Sequence, residues 1–260
     1  TDPKGVRWLI SSYEPDHVIH LAAKVGGIQD NIKKPAEYFV DNILMNTNVV
    51  KACQEYNIKR FTGILSTCIY PDVVDTYPMK EEDMFKGPPT PTNFSYGYAK
   101  RAMAVQIDAH NKQYGTKYNY LIPCNLYGEH DNFNDDTKAH FITALLKKIK
   151  NSNGQLKLLG TGTPLRQFMY AGDLAKIILE VVNRDITESF NVAPDWNYSI
   201  NEMAEKVLHV IDKKMDIVYT NPELDGQYRK DVSNDKLKKL FPTFKFTNFE
   251  NSIKKVYNAI

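Results

Sequence analysis

The sequence predicts an α/β protein: a doubly wound parallel sheet followed by a smaller α/β lobe. Three observations predict it. Short apolar runs alternate with long stretches of helical periodicity through the first half of the chain, the pattern of strands joined by crossover helices. The alternation breaks at Glu129, where a polar, turn-rich stretch begins. With 260 residues and 42% hydrophobic content, the chain has enough apolar surface for one large or two modest cores.

In chain order, Val6, Leu9 and Ile10 recur at helical spacing within residues 1–15, and the apolar run 18–23 follows, so a helix feeds a buried strand. Residues 24–31 form a glycine-bearing loop. Residues 35–56 read as a long helix: Pro35 suits a first turn, where its missing N–H is no loss, and Phe39, Ile43, Val49, Val50 and Cys53 supply an apolar face. Asn42, Asn46 and Asn48 interrupt that face. Residues 61–65 are the next strand. The connection 71–92 has no periodicity and carries Pro71, Pro78, Pro88, Pro89 and Pro91; so long a loop inside a compact domain is usually functional. A helix over 93–114 places Ala99, Met103 and Ile107 at i, i+4 spacing and stops at Gly115, and residues 118–123 form a strand.

Residues 1–128 are therefore expected to form the sheet domain, with 165–183 rejoining it and 129–260 forming mainly the second lobe. Within that lobe, 129–138 is turn-rich, 139–150 an amphipathic helix and 156–159 a strand. The segments 190–193, 199–211 and 217–219 and two terminal helices complete it. A ligand belongs between the lobes, at the carboxyl ends of the parallel strands.

Composition narrows the function. The 33 basic and 31 acidic residues are dispersed and leave a formal net charge of +2, so nothing marks nucleic acid or a membrane as a partner. No apolar run approaches the ~20 residues of a membrane helix, and a cytoplasmic enzyme is expected. Cys53, Cys68 and Cys124 have neither disulfide-framework nor metal-ligand spacing, so no metal is expected.

The chemistry concentrates between Ser66 and Lys100. In a helix, Tyr96 and Lys100 lie one turn apart on one face, where an ammonium would lower the phenol's pKa. A serine hydroxyl reaching the same point from the end of the preceding strand would hold a substrate oxygen against that phenol, the trio that carbonyl reduction needs. The same spacing also occurs on solvated helix faces, so the surrounding blocks matter. They are His20-Leu21-Ala22-Ala23-Lys24-Val25-Gly26-Gly27, Ser66-Thr67-Cys68-Ile69-Tyr70-Pro71, Asn125-Leu126-Tyr127-Gly128-Glu129-His130-Asp131-Asn132-Phe133 and Gly160-Thr161-Gly162-Thr163-Pro164-Leu165-Arg166-Gln167-Phe168. Together with Ser66 and Tyr96-x-x-x-Lys100 they resemble the extended short-chain dehydrogenase/reductase family. Within it they resemble the branch that turns GDP-4-keto-6-deoxy-D-mannose into GDP-L-fucose by 3,5-epimerisation and 4-reduction with NADPH.

That resemblance implies a Rossmann-like sheet, NADP(H) as cofactor, a GDP-sugar substrate and a homodimer formed through the helix that bears Tyr96. It implies catalytic roles for Ser66, Cys68, Tyr96, Lys100 and His140, with Cys68 and His140 moving protons at the carbons beside the ketone. The cofactor-binding set it implies is Ala22, Ala23, Ile64, Leu65, Ser66, Thr67, Tyr96, Lys100, Pro123, Cys124, Asn125, Leu126 and His140. The substrate set is Asn125, Lys148, Leu159, Arg166, Asp225 and Lys230, with Lys148 and Leu159 standing where the branch has Arg and Trp. Asn46 is a candidate relay to the lysine, and His130 competes with His140 as the acid. Enzymes of the family open with a strand, a Gly-rich turn and a helix that hold the cofactor pyrophosphate. This sequence has no G-x-x-G-x-x-G, and Thr163-Pro164 after Gly160-Thr161-Gly162 do not continue one. By that comparison the chain starts about fifty residues in, an N-terminally truncated sheet expected to bind NADPH weakly or not at all by itself. Two alternatives stay open at this point: a reductase of another nucleotide-linked 4-keto sugar, such as a deoxyheptose, and a non-catalytic sugar-nucleotide binding module.

Overall fold

The computed structural model describes residues 1–133, 139–152 and 154–260; the expected turn-rich stretch 129–138 falls partly outside them. Helix α1 (Pro3–Tyr13) starts at Asp2, whose carboxylate accepts the amides of Lys4 and Gly5 at 2.9 and 3.0 Å and so satisfies donors that a first turn leaves open. Strand β1 (His17–His20), helices α2 (Ile28–Lys33) and α3 (Pro35–Glu55), and strand β2 (Arg60–Ile64) follow. The proline-rich connection leads to helix α4 (Phe94–Tyr114), then to strands β3 (Lys117–Pro123) and β4 (Asn125–Tyr127). Next come α5 (Phe141–Asn151), β5 (Gln155–Leu159), β6 (Leu165–Arg166), β7 (Phe168–Tyr170), α6 (Ala171–Asn183) and β8 (Phe190–Val192). The chain closes with β9 (Tyr198–Ser199), α7 (Ile200–Val210), β10 (Asp216–Thr220), α8 (Asp235–Leu240) and α9 (Phe249–Ala259).

The expected parallel α/β sheet is present, in the order β1-β2-β3-β8, with every pair parallel. Its register pairs His20 with Gly63 and Ile64 with Leu121, so the carboxyl ends of β1, β2 and β3 share one edge. A buried polar ladder crosses it: His17 Nε2 to the Thr62 hydroxyl at 2.8 Å, Thr62 to Asn119 Oδ1 at 2.7 Å, and Asn119 Nδ2 to the Ile186 carbonyl at 3.2 Å. Such polar groups are tolerated inside because each finds a partner. Two-stranded pairings β4–β7, β5–β10 and antiparallel β6–β9 lie outside the main sheet.

One hydrophobic core joins the sheet to α3, α4 and α6 through Phe61, Leu121, Phe190, Val50, Met103, Ile107 and Ile177. A second gathers α5, α7, α9 and β5 through Leu145, Leu146, Leu156, Val207, Ile253 and Val256.

Three details differ from the sequence reading. The apolar run 18–23 is strand only as far as His20, and Leu21 is exposed, because among the described residues β1 pairs with β2 alone. The loop over 24–31 gives way to α2 at Ile28, stabilised where Asn31 Nδ2 donates to the carbonyls of Gly26 and Gly27 at 2.9 and 3.0 Å. The run 190–193, expected in the second lobe, contains β8, the fourth strand of the main sheet, and Leu237 and Phe241 at α8 join the first core with it. A three-residue strand carries too little pattern to reveal a partner that lies some seventy residues upstream. Among the described residues, no helix is long and apolar enough to cross a membrane.

Candidate active site

The site forms where β2 ends and α4 begins. Beyond β2 the chain enters a 3-10 turn (Thr67–Ile69) capped by Ser66, whose hydroxyl oxygen accepts the Cys68 amide at 3.3 Å. Helix α4 lies against this turn and is fastened to it by two buried cations. Lys100 Nζ donates to the Ile64 carbonyl at 2.8 Å, and Arg101 Nε donates to the Ile69 carbonyl at 3.0 Å. Arg101 also reaches Ile69 through Nη2 and the Gly87 carbonyl through Nη1 at 2.9 Å. Gly97 permits this approach: a Cβ there would lie 2.5 Å from the Cys68 carbonyl oxygen and 2.8 Å from Pro89 Cβ.

Tyr96 and Lys100 share the buried face of α4, with Lys100 Nζ 6.0 Å from the centre of the phenol ring. Burial pushes the Lys100 ammonium down to about 8. The expected lowering of the phenol by the ammonium is not what the structure gives. Burial, then the neighbouring Cys68 sulfur and Tyr38, raise Tyr96 above its ordinary value. The ammonium is directed to the Ile64 carbonyl and lies 6 Å from the ring centre, so desolvation wins. Beneath it, buried Asn46 donates to the Ala99 carbonyl at 3.3 Å and accepts from His20 Nε2 at 3.0 Å. Burial pushes His20 down to about 4, so that imidazole is neutral and its Nε2 proton points at Asn46.

Cys68 has company of its own. Lys230 Nζ lies 3.4 Å from Sγ. Burial alone would raise the thiol, but the Lys230 charge, hydrogen bonds from Ser66 and Lys230, and the more distant Arg166 charge outweigh it and hold Cys68 below the usual thiol range. The other two cysteines go the opposite way: burial pushes Cys53 up to about 12 and Cys124 higher still.

Lys230 arrives on a strap, residues 225–234, laced to both sides of the site. Leu165 N–H donates to the Tyr228 carbonyl at 2.8 Å, Met79 N–H to Asp231 O at 2.9 Å, and Ser233 N–H to Met79 O at 2.7 Å. Gln227 Nε2 donates to the carbonyls of Pro71 and Asp72 at 3.1 and 2.8 Å. Arg166 grips the same strap through the carbonyls of Tyr228 and Asp225, each at 3.3 Å, while the Asp225 carboxylate accepts the Thr161 amide at 2.7 Å and its hydroxyl at 2.6 Å.

Ser66, Cys68, Tyr96, Lys100, Arg166, Asp225 and Lys230 are thus linked into one neighbourhood. Ala22 and Ala23 follow β1, Ile64, Leu65 and Thr67 surround the end of β2, and Pro123, Cys124 and Leu126 lie at or just beyond the end of β3, all along the carboxyl edge of the sheet where dinucleotides bind in such folds. Asn125 Nδ2 donates to the Gln167 carbonyl at 2.9 Å. His140 precedes α5 with Nδ1 3.4 Å from Asp131 Oδ1, and among the described residues no hydrogen bond or ring contact joins it to Cys68 or Tyr96. Lys148 donates to the Lys157 carbonyl at 2.8 Å, and Leu159 ends β5 exposed. A cavity of about 770 Å³ opens at the start of α4, with Asn31, Pro35, Asp72, Pro88, Thr92 and Ser95 in its wall, and neither Ser66, Cys68, Tyr96 nor Lys100 lines it. Sequence reasoning missed Arg101 and Gln227, which set the shape of the site without touching its reactive atoms. Arg101 stands next to Lys100 in sequence, and that adjacency was the only available signal.

A parallel sheet with a serine, a tyrosine and a lysine converging at its carboxyl edge defines a short-chain dehydrogenase/reductase of the extended type. The sequence model of the NAD dependent epimerase/dehydratase family matches residues 1–193, and the chain belongs to that family. Within it, the chain is similar to GDP-L-fucose synthases. It is 40% identical over 258 residues to that of Dictyostelium discoideum, spanning 96% of this chain and 80% of the relative. A GDP-L-fucose synthetase from Naegleria fowleri bound to NADP superposes with a TM-score of 0.87 at 32% identity, over 99% of this chain and 80% of that one. A GDP-6-OMe-4-keto-L-xylo-heptose reductase from Campylobacter jejuni shares the fold, with a TM-score of 0.89 at 24% identity over 99% of this chain and 85% of its own.

Gly97→Ala tests the close approach of α4. The clash is with backbone, which cannot step aside, so the expected cost is about 1–3 kcal/mol, read as a lower urea midpoint. An unchanged midpoint would mean the helix sits further from Cys68.

Proposed function

We propose that the protein catalyses NADPH-dependent 3,5-epimerisation and 4-reduction of GDP-4-keto-6-deoxy-D-mannose to GDP-L-fucose. The observation that carries this reading is the convergence of Ser66, Cys68, Tyr96 and Lys100 on one turn, with a thiol held low and a phenol held high. A plain reductase has no use for the sulfur, and a binding module has no use for the set. Relatives above 30% identity that carry the fucose synthase name favour this substrate over a GDP-heptose.

In this reading Cys68 removes a proton from a carbon beside the ketone and His140 returns one on the opposite face, inverting C3 and C5 in turn. Ser66 orients the C4 oxygen, and Tyr96, kept protonated by burial, gives it a proton. NADPH, when bound, supplies the hydride to C4. The residues present suit it: Ala22 and Ala23 leave backbone open at the sheet edge, residues 64–67 and 123–126 flank them, and the buried Lys100 ammonium suits a ribose hydroxyl. Arg166 and Lys148 offer cations to the diphosphate, while Asn125, Leu159 and the segment carrying Asp225 and Lys230 complete the sugar-nucleotide contacts. We assign residues 1–128 with 165–183 to the cofactor side and most of 129–260 to the substrate side. We further propose a cytoplasmic homodimer through α3 and α4, supported by the exposed apolar Phe39, Val40 and Leu44 on α3 and Val105 on α4.

Cys68→Ser is expected to slow solvent deuterium entry beside C4 by about 10²–10⁴-fold while hydride transfer to the ketone survives. Equal loss of both steps would remove Cys68 from the proton-transfer role. Because the Lys100 ammonium is lost as pH rises through about 8, kcat/KM should fall above that pH, and the limb should vanish in whatever activity Lys100→Arg retains; a flat alkaline profile for the wild type contradicts the role. Val105→Glu should halve the mass measured by light scattering, and a wild type that is already monomeric excludes this interface.

A further inference from the structure

We propose that Lys230 is a positioning residue for the base of the site, its ammonium holding the Cys68 sulfur as a thiolate before any substrate arrives. The inference rests on the reading of Cys68 as the proton-abstracting group and adds to it the charge that makes the sulfur basic.

The argument begins with a buried cation in need of an anion. Lys230 is only 9% exposed, and the described partner of its Nζ is the Cys68 sulfur at 3.4 Å. An ammonium so withdrawn from water is costly unless paired. The carboxylates that could serve on the same strap are engaged elsewhere. Asp231 is held by Arg229 through Nε at 2.6 Å and Nη2 at 2.9 Å, and Asp225 by the Thr161 amide and hydroxyl. The sulfur is the partner that the described residues offer it.

The surroundings of Cys68 agree. The groups that act on it are Lys230 from the strap, Arg166 from β6 and Ser66 from its own turn, with the Tyr96 phenol facing it from α4. The charges that hold the sulfur low are both cationic, Lys230 first and then Arg166. The strap also leaves Lys230 little freedom, since Met79 binds the backbone of Asp231 and Ser233 on its far side. The cation is therefore built into the site by main-chain hydrogen bonds.

The chemical consequence is a base already charged. When the sugar is bound, its C–H bond breaks, an S–H bond forms at Cys68, and the electron pair of that C–H bond moves onto the ketone oxygen as an enolate. After reprotonation of the carbon from the other face, the sulfur releases its proton to solvent and the ion pair re-forms. No electron leaves the protein or the sugar in this step.

The test is alkylation of the protein by iodoacetamide across the neutral and alkaline range without substrate, with the labelled Cys68 peptide quantified by mass spectrometry. Cys53 and Cys124 are buried with raised thiols and stay silent. Wild-type Cys68 should react with a midpoint below the about 8.5 of a free thiol. Lys230→Met should raise that midpoint by about one pH unit or more, slowing alkylation at neutral pH about tenfold, and Lys230→Arg should restore most of it. In the substrate assay, Lys230→Met should slow deuterium entry beside the ketone more than hydride transfer. A wild-type midpoint at or above the free-thiol value overturns the proposal without any variant, as does an unchanged midpoint in folded Lys230→Met. The sulfur is read without the sugar, so a thiolate found alongside absent epimerisation would overturn the assigned function and leave the ion pair standing.

Discussion

The docking of α4 on the end of β2 is the constraint from which the rest follows. Two cations from the first two turns of the helix, Lys100 and Arg101, donate to carbonyls of the strand end and the turn beyond it. Removing either would leave a buried acceptor unsatisfied, a loss of about 1–3 kcal/mol for each group. Those bonds fix the rotation of α4 about its axis, and rotation decides which residues face Cys68. Gly97 sets the depth to which the helix can sink. Ser66, Cys68, Tyr96 and Lys100 thus owe their common focus to backbone acceptors on a strand whose five residues are all buried.

The strap completes from afar what this docking begins. Its ties to Leu165, Met79 and Pro71 connect β6 with the proline-rich connection, so a segment late in the chain is pinned against two early ones. That geometry explains why the connection is long and rich in proline. It needs to run over α4 and present carbonyls to Gln227 and Arg101, and it gains little from secondary structure of its own. A chain held in this way arrives with its side chains already aimed, which lowers the entropy lost when a ligand orders the site.

How much of this was legible depended on whether the signal was local. The helix bearing Tyr96 and Lys100 could be read because its period and its stop at Gly115 lie in one stretch of sequence, and the four-residue spacing put both groups on one face. The parallel sheet was legible from the alternation of apolar runs with long helices. Strand β8 was misassigned because Phe-Asn-Val shows no period and its partner is set by tertiary packing. The sign of the Tyr96 shift was missed for a related reason: spacing gives the distance between two groups, while burial, which dominates here, depends on the whole core. Arg101 and Gln227 act on carbonyls, and a carbonyl leaves no trace in a sequence. Lys230 could be matched as a substrate contact by its place in Asp225-Gly226-Gln227-Tyr228-Arg229-Lys230, but its distance to a sulfur 162 residues away could not.

The opposed shifts of Tyr96 and Cys68 bear on the order of the proposed chemistry. A negative sulfur beside the phenol raises the phenol's pKa, and burial does the same. While the sulfur is charged, Tyr96 therefore holds its proton most firmly, which suits a period in which only carbon acids are to be deprotonated. When the sulfur takes a proton its charge is gone and that share of the shift relaxes, so the phenol is a readier donor to the enolate oxygen for as long as the S–H bond lasts. When the sulfur releases that proton, the charge maintained by cations on the strap and β6 returns and the phenol is held again. One group's titration sets the other's, with no conformational change.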